Sequence, residues 1–524
     1  MDGGKWLLND IDISRINQNV WQADLENGLY QNPILHADYS DPDVIRVGKD
    51  YYMVSSSFHM SPCLPVLHST DLVNWKIINH VAEFLPYESY DKPRHGDGVW
   101  APSIRYHNGK FWVFFGAPDE GIFMSTAIDP AGEWTPLHLV KKTTGWIDTC
   151  PFWDDDGQAY LVSAFAKSRI GFKSILHISR MDSDGTKTLD EGVHVFDGRA
   201  HHPTIEGPKL YKRNGYYYIF APAGGVATGW QTILRSKNIF GPYEDKIVLH
   251  QGTTNINGPH QGAWVETETG ESWFLHFQDK GAYGRVVHLQ PMNWEDDWPV
   301  IGHNQNAEGV GEPVIKWKKP ETLVPSGIRV PNMSDNFSSE KLGHQWQWQA
   351  NYKKEWYELK NQKLKLHAIN QFGVGNLYHI PNILTQKFPA ETFNVQTKLS
   401  LVPEMEKDCA GLLILGKEYA TLQVRKQESS LGIFYVTGNE EKVQNITWIG
   451  TISGDELFLR VEVKKGAICQ FSYSVDGINF TKIEKEFKAT IGKWVGAQMG
   501  IYCSNMESRN SKGYAEFNYF LVHK

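Results

Sequence analysis

The chain has few of the features that mark a redox, metal or nucleic-acid function. Its five cysteines, Cys63, Cys150, Cys409, Cys469 and Cys503, are odd in number and form no CxxC pair, which argues against a disulfide framework and a cysteine-ligated zinc site. Cys150, in Asp148-Thr149-Cys150-Pro151, has no sequence context for a thiolate and reads as a buried structural thiol. No stretch approaches the roughly 18 consecutive apolar residues of a spanning helix, so no membrane-spanning segment is expected. Lys and Arg total 52 against 60 Asp and Glu, for a net charge of -8, with no basic run. That charge excludes the electrostatic footprint of a nucleic-acid or anionic-membrane partner and leaves a neutral or cationic one. The opening Met1-Asp2-Gly3-Gly4-Lys5-Trp6 lacks the apolar core of a signal peptide. It fits the mature form of a periplasmic or secreted protein whose targeting segment is not in this chain, with a cytoplasmic protein as the alternative.

What the chain does have is glycine and aromatic side chains, 47 Gly and 19 Trp in 524 residues. That length exceeds one ordinary hydrophobic core, so two or three domains are expected. A turn followed by an aromatic β-run recurs at Gly48, Gly109, Gly157, Gly215 and Gly270, at intervals of 61, 48, 58 and 55 residues. Repeats of that size point to a propeller, here with five blades. A third strand-like segment follows each run, at 68–75, 124–129, 177–182, 234–240 and 288–294.

Near residue 315 the texture changes to a Pro-rich, charged connector, beyond which residues alternate at period two, as in Lys363–His367, Phe393–Leu399, Ala420–Arg425 and Leu457–Val463. The reading is an all-β chain with a five-bladed β-propeller at 1–315, its blades starting near residue 30. A linker at 316–333 and a β-sandwich of jelly-roll, concanavalin-A-like type at 334–524 follow. Asp476-Gly477 reads as a hairpin turn.

In a propeller the innermost strands line a central channel, and their first residues converge at one end. Counting back seven, nine, nine, nine and ten residues from the five turn glycines reaches Asp41, Trp100, Asp148, Glu206 and His260. Hydrogen-bonded capping explains each acid singly but not their recurrence in blade register. Paired carboxylates on a neutral, Trp-rich surface suit glycoside chemistry, one as base or nucleophile and one protonated as acid. A third carboxylate nearby raises the acid's pKa. Trp100, Trp146 and Phe58 offer apolar walls for a sugar ring, with core packing the alternative for Trp146 and Phe58.

The stretches Asn32–Asp43, Val99–Ser103, Trp146–Asp148 with Phe152–Gly157, and Ile205–Lys209 resemble glycoside hydrolase family 43. The segment Met333–Ser339 through Gln345–Trp348 resembles the C-terminal sandwich of that family's β-xylosidases and arabinofuranosidases. The resemblance implies an inverting mechanism with Asp41 as general base, Glu206 as general acid and Asp148 as the residue that tunes and orients the acid. The Asp41 and Glu206 carboxyls are then expected roughly 6.5–9.5 Å apart. Arg285 matches an arginine that binds sugar hydroxyls.

His260 matches a channel histidine that in parts of the family holds calcium or a water cluster, although a lone imidazole suits a hard cation poorly. Asp335 and Asn518 stand where related folds hold a structural calcium, and no cofactor is required for the reaction. The expected activity is exo-acting removal of terminal α-L-arabinofuranosyl residues from plant hemicellulose (arabinoxylan, xyloglucan, arabinan) or its oligosaccharides. A β-D-xylosidase or a bifunctional enzyme is the alternative. A non-catalytic carbohydrate-binding propeller and a glycoside phosphorylase are the competing classes. Walls for the pocket are sought in Val81–Gly98 and in a sandwich loop at Asn370–Gly375, and the sandwich reads as a clamp on the propeller or as a glycan-binding module.

Overall fold

Each of the five glycine-marked turns closes a hairpin. The glycines at 48, 109, 157, 215 and 270 all have positive φ, and Asn108 and Asn214 precede two of them with φ of 48° and 50°. Two left-handed residues in succession give the tight turn whose twist matches the flanking strands, which is why Asn-Gly recurs there. A computed structural model of the chain describes residues 20–369, 375–452, 454, 456–505, 507 and 511–524.

The hairpins grow into five four-stranded antiparallel sheets, each with its strands in chain order. Blade 1 runs from Asp43–Val47 to Lys76–Ala82, blade 2 from Trp100–His107 to His138–Lys142, and blade 3 from Trp146–Trp153 to Val193–Asp197. Blade 4 runs from Lys209–Arg213 to Glu244–Leu249 and blade 5 from His260–Glu266 to Trp298–Ile301. The segment expected as a strand at 68–75 ends early, since the third strand of blade 1 is Cys63–Ser69. The Asp71 carboxylate accepts from the Val73 and Asn74 backbone N–H groups, which draws that backbone into a turn instead of the ladder.

The aromatic middle strands are buried on both faces because each blade is packed between two others. In blade 4, Ile219 joins the core shared with blade 3, while its neighbour Phe220 joins the core shared with blade 5. Equivalent cores lie between blades 1 and 2, 2 and 3, and 5 and 1. A segment preceding blade 1 covers the closure between last and first blades. Leu35 bridges Val287, the Tyr30 hydroxyl donates to Leu289 O, and Leu29–Gln31 pairs with Lys316–Lys318.

The following connector is strapped to the propeller. The Lys319 ammonium meets Asp24 and Asp71, and the Leu323 N–H donates to Glu268. Beyond it, a seven-stranded and an eight-stranded antiparallel sheet enclose one apolar core that includes Leu412, Leu422, Leu459, Phe471 and Phe517. Asp476-Gly477 does lie in a hairpin, but the return strand is Thr481–Lys482 and the innermost pair is Tyr473 with Thr481, so residues 474–480 form a wider connection than a two-residue turn.

The sandwich docks on the propeller through polar as well as apolar contacts. Asn351 exchanges hydrogen bonds with the Leu85 backbone, Gln349 meets His59, and the Tyr283 hydroxyl donates to Glu391 O and accepts from Ala467 N. Among the described residues no helix is long and apolar enough to cross a membrane. Phe220 is fully buried between two blades, so Phe220→Ala is expected to destabilise the protein by about 3–5 kcal/mol. Urea unfolding followed by tryptophan fluorescence measures that loss.

Candidate active site

The five inner strands start with the same backbone kink. Asp41, Ala101, Asp148, Gly207 and Gln261 have φ of 56°, 33°, 57°, 60° and 31°. Pro42, Pro102, Thr149, Pro208 and Gly262 follow them. This repeat corrects the register read from glycine spacing. Asp41 and Asp148 occupy the kink itself, whereas Trp100, Glu206 and His260 stand one residue before it. The carboxylates therefore come from two adjacent positions of the repeat. The Asp41 and Asp148 residues are recessed, at 4% and 3% exposure. The Glu206 side chain keeps a quarter of its surface exposed.

A cavity of about 440 Å³ opens over this end of the channel. Asp41, Asp148, Glu206, His260, Arg285, Trp100 and Phe58 all line it, together with Ile147, Gln261, Val226, Ala101 and Trp494. Trp146 does not. Its ring packs edge-on against Phe165 and His177. Successive strand residues face opposite sides, and Ile147 takes the cavity side in its place.

Donors converge on the Asp41 carboxylate. The Ser40 hydroxyl donates at 2.8 Å, the Ser56 hydroxyl at 2.5 Å and the Arg285 guanidinium at 3.2 Å. The Asp148 carboxylate accepts from the Gly207 N–H at 2.8 Å and from the Gln261 amide at 3.0 Å. Asp148 is thus tied to the peptide that follows Glu206, a direct means of fixing where Glu206 points. Gly207 is required here, since a Cβ would lie 2.4 Å from Gln261 Cγ.

Burial is the main cause that raises both acids. Asp148 is raised further by the Asp41 charge, and Glu206 by the Asp148 charge, with Arg285 opposing both. A raised Glu206 stays protonated near neutral pH and can donate. His260 is pushed down to about 3 by burial and by Arg285, so it is neutral. Neither of its ring nitrogens has a protein hydrogen-bond partner, and Nε2 lies 3.4 Å from a Glu206 oxygen. Those free polar atoms suit a ligand's hydroxyl groups.

A lone neutral imidazole at His260 suits a hard, oxygen-seeking cation poorly. Among the described residues no group of three His, Cys, Asp or Glu side chains is arranged to hold a metal. Asp335 accepts from the Phe337 N–H and the Trp346 indole, which employ its carboxylate in the sandwich itself. Asn518 lies in the last strand, two residues before Phe520, whose backbone bridges Asp335. Cys150 is fully buried, with Sγ 2.8 Å from the Arg105 guanidinium, in a layer further along the inner strands that also holds Asp43 and Lys209.

The walls combine both domains. Trp100 donates its indole N–H to Gly96 O, and Gly98 abuts the Phe58 carbonyl so closely that a Cβ would lie 2.3 Å from it. The end of the 81–98 stretch therefore backs two lining residues, Trp100 and Phe58, but none of residues 81–98, the wall sought from sequence, lines the cavity itself. Residues 370–374 of the sandwich loop proposed from sequence lie outside the described residues. The sandwich segment that reaches the cavity is Gly492–Gly496, where Trp494 sits edge-on to Trp100 with ring centroids 5.9 Å apart. Its sequence signal was a tryptophan flanked by Gly492 and Gly496, but nothing local says which sandwich loop faces the propeller.

Residues 30–299 match the family described as glycosyl hydrolases family 43, and residues 334–523 the beta xylosidase C-terminal concanavalin A-like domain. A putative beta-xylosidase of Xylanibacter ruminicola is 41% identical, over 95% of this chain and 90% of that protein. The non-reducing end alpha-L-arabinofuranosidase BoGH43B of Bacteroides ovatus is 26% identical, over 98% of this chain and 99% of that protein. The crystal structure of the BlXynB protein of Bacillus licheniformis superposes with a TM-score of 0.81 at 25% identity, covering 94% of this chain and 99% of that one. A propeller with three acids at its channel mouth, a sandwich closing over it and these likenesses along the whole length lead to one assignment: the chain belongs to glycosyl hydrolases family 43.

Proposed function

We propose that this glycosidase is exo-acting and inverting, and that it removes single terminal pentoses from oligosaccharides derived from plant polysaccharides. The observation that carries the reading is the pairing of a recessed acceptor, Asp41, with a raised, partly exposed acid, Glu206, in one aromatic-walled cavity. Asp41 takes a proton from water as the water oxygen bonds to the anomeric carbon. Glu206 gives its proton to the glycosidic oxygen as the old bond breaks. Asp148 keeps Glu206 oriented and protonated, and Arg285 and His260 offer hydrogen bonds to ring hydroxyls. Trp100 and Phe58 of the propeller and Trp494 of the sandwich wall the cavity from two domains, which suits one terminal sugar better than a chain running through.

For the sugar, β-D-xylose is the first reading. The sequence motifs favoured arabinofuranosides, but the 41% identical relative is named for xylosides, as is the family of the sandwich. The second reading, an α-L-arabinofuranosidase, is favoured by the likeness to the Bacteroides ovatus enzyme over nearly the whole chain. Rates on p-nitrophenyl β-D-xyloside and α-L-arabinofuranoside, with the first-formed anomer followed by NMR, decide between the sugars and test inversion together.

Asp41→Ala and Glu206→Ala are each expected to lower kcat on natural oligosaccharides about 10²–10⁴-fold. Full rates in both would overturn the catalytic assignment and leave a carbohydrate-binding propeller. Asp148→Asn removes a charge that raises Glu206, so Glu206 should ionise at lower pH. The alkaline limb of the kcat/KM profile is then expected to move down by about one pH unit or more. Trp494→Ala removes a wall supplied by the sandwich, with an expected loss in kcat/KM of about tenfold for roughly 1–1.5 kcal/mol of ring contact. An unchanged kcat/KM would remove Trp494 from the sugar site.

A further inference from the structure

Asp38 is a buried carboxylate that the proposed chemistry does not use. It lies three residues before Asp41 and is 5% exposed. One carboxylate oxygen accepts from the Arg285 backbone N–H at 2.8 Å and the other from the Gly496 N–H at 2.9 Å. Arg285 belongs to the propeller and Gly496 to the sandwich, so a single side chain holds backbone from both domains.

The joint leaves no room for substituents. A Cβ on Gly284 would lie 2.5 Å from Asp38 Cβ, and one on Gly496 would lie 2.6 Å from Gly284 N. Next to it, the Ala497 N–H donates to Ala282 O at 2.7 Å. Both chain segments leaving this joint, the loop back to Trp494 and the strand start at Arg285, lead to residues that line the cavity. Two residues before Gly496 is Trp494, and Val495 between them packs with Phe58 and Met60. Arg285, gripped by its backbone at Asp38, reaches Asp41 with its guanidinium, which also stands 5.8 Å from the Trp494 ring.

We propose that Asp38 is a positioning residue that latches the Trp494 loop of the sandwich and the Arg285 backbone onto one carboxylate, making the sandwich an integral part of the sugar site. Burial raises Asp38, while Lys387 of the sandwich and the two N–H donors act against that rise. The field of a sandwich lysine therefore helps to hold the latch charged. Docking of the two domains has other anchors at Asn351, Gln349 and Tyr283. Loss of the latch should accordingly misplace the loop and the arginine without separating the domains.

The inference rests on the reading of Asp41 and Arg285 as parts of the sugar site, and the test separates the two. Asp38→Asn presents an amide NH₂ to one of the two N–H groups, so it breaks one arm of the latch. Its expected effect is a 10- to 100-fold loss in kcat/KM on p-nitrophenyl β-D-xyloside or α-L-arabinofuranoside, whichever the wild type cleaves, dominated by KM. Gly496→Ala, which keeps the Asp38 charge and opens the joint from the other side, should show the same split. It carries the test if Asp38→Asn does not fold. In a double-mutant cycle with Trp494→Ala, the combined loss should be at least about threefold smaller than the product of the single losses, because both act on one loop. A strictly multiplicative loss, or wild-type kcat/KM in a folded Asp38→Asn or Gly496→Ala, overturns the latch. Asp41→Ala is assayed beside them. Full activity there sinks the underlying site assignment, whereas an inactive Asp41→Ala with fully active latch variants sinks the latch alone.

Discussion

Three carboxylates crowded into one recess repel one another, and burial makes each charge more costly still. Most of the structure around the channel mouth answers that constraint. Arg285 stands against Asp41, and the Gly207 N–H and the Gln261 amide stand against Asp148. Further along the inner strands, Lys209 and Arg105 gather around Asp43 and add positive field from below. What is left uncompensated is put to use, since the residual repulsion and burial keep Glu206 protonated. The same constraint explains the backbone. A kink with positive φ at Asp41 and Asp148 turns their side chains into the recess while Glu206, one position earlier in its own blade, stays partly exposed.

A ring of blades supplies the rigidity this arrangement needs. Each middle strand is buried on two faces, so a shift in one blade would disturb the cores on both sides of it. The sandwich adds what the ring cannot, a lid residue at the open end. Trp494 and Trp100 form two walls from different domains, and the apolar contact of Val495 with Phe58 and Met60 seats the loop between them. These polar and apolar contacts seat the sandwich beside the channel mouth.

Much of the architecture was legible in the sequence because it depends on short-range rules. Asn108-Gly109 and Asn214-Gly215 can hardly form anything but tight hairpin turns, and runs such as Tyr216–Ala223 need two apolar neighbours to be buried. The acids at the strand starts were legible for the same reason, through their similar distance, seven to nine residues, from those turns. That distance, however, counted residues and not geometry. It placed Glu206 in register with Asp41 and Asp148, when the glycine does not hold one place in every turn: Gly48 directly follows the last strand residue Val47, whereas Asn214 separates Gly215 from Arg213, and this moves the register by one. For Trp146 the core-packing alternative is the one seen, because a single residue decides which side of a strand a ring occupies.

By itself, then, the sequence determined the five hairpin repeats, the change to alternating strands after the connector, and the three acids with Arg285 and His260 as the polar set. The repeats, the strands, the acids and His260 follow from turn chemistry and periodicity within a few residues, whereas Arg285 was implied by the family resemblance alone. Only the tertiary structure decided that Trp494 faces Trp100, that Ile147 and not Trp146 lines the cavity, and that Asp38 joins Arg285 to Gly496. Such contacts join residues up to 458 positions apart in the chain. They exist only once the ring has closed and the sandwich has docked, and no local pattern encodes where two separately folded surfaces will meet.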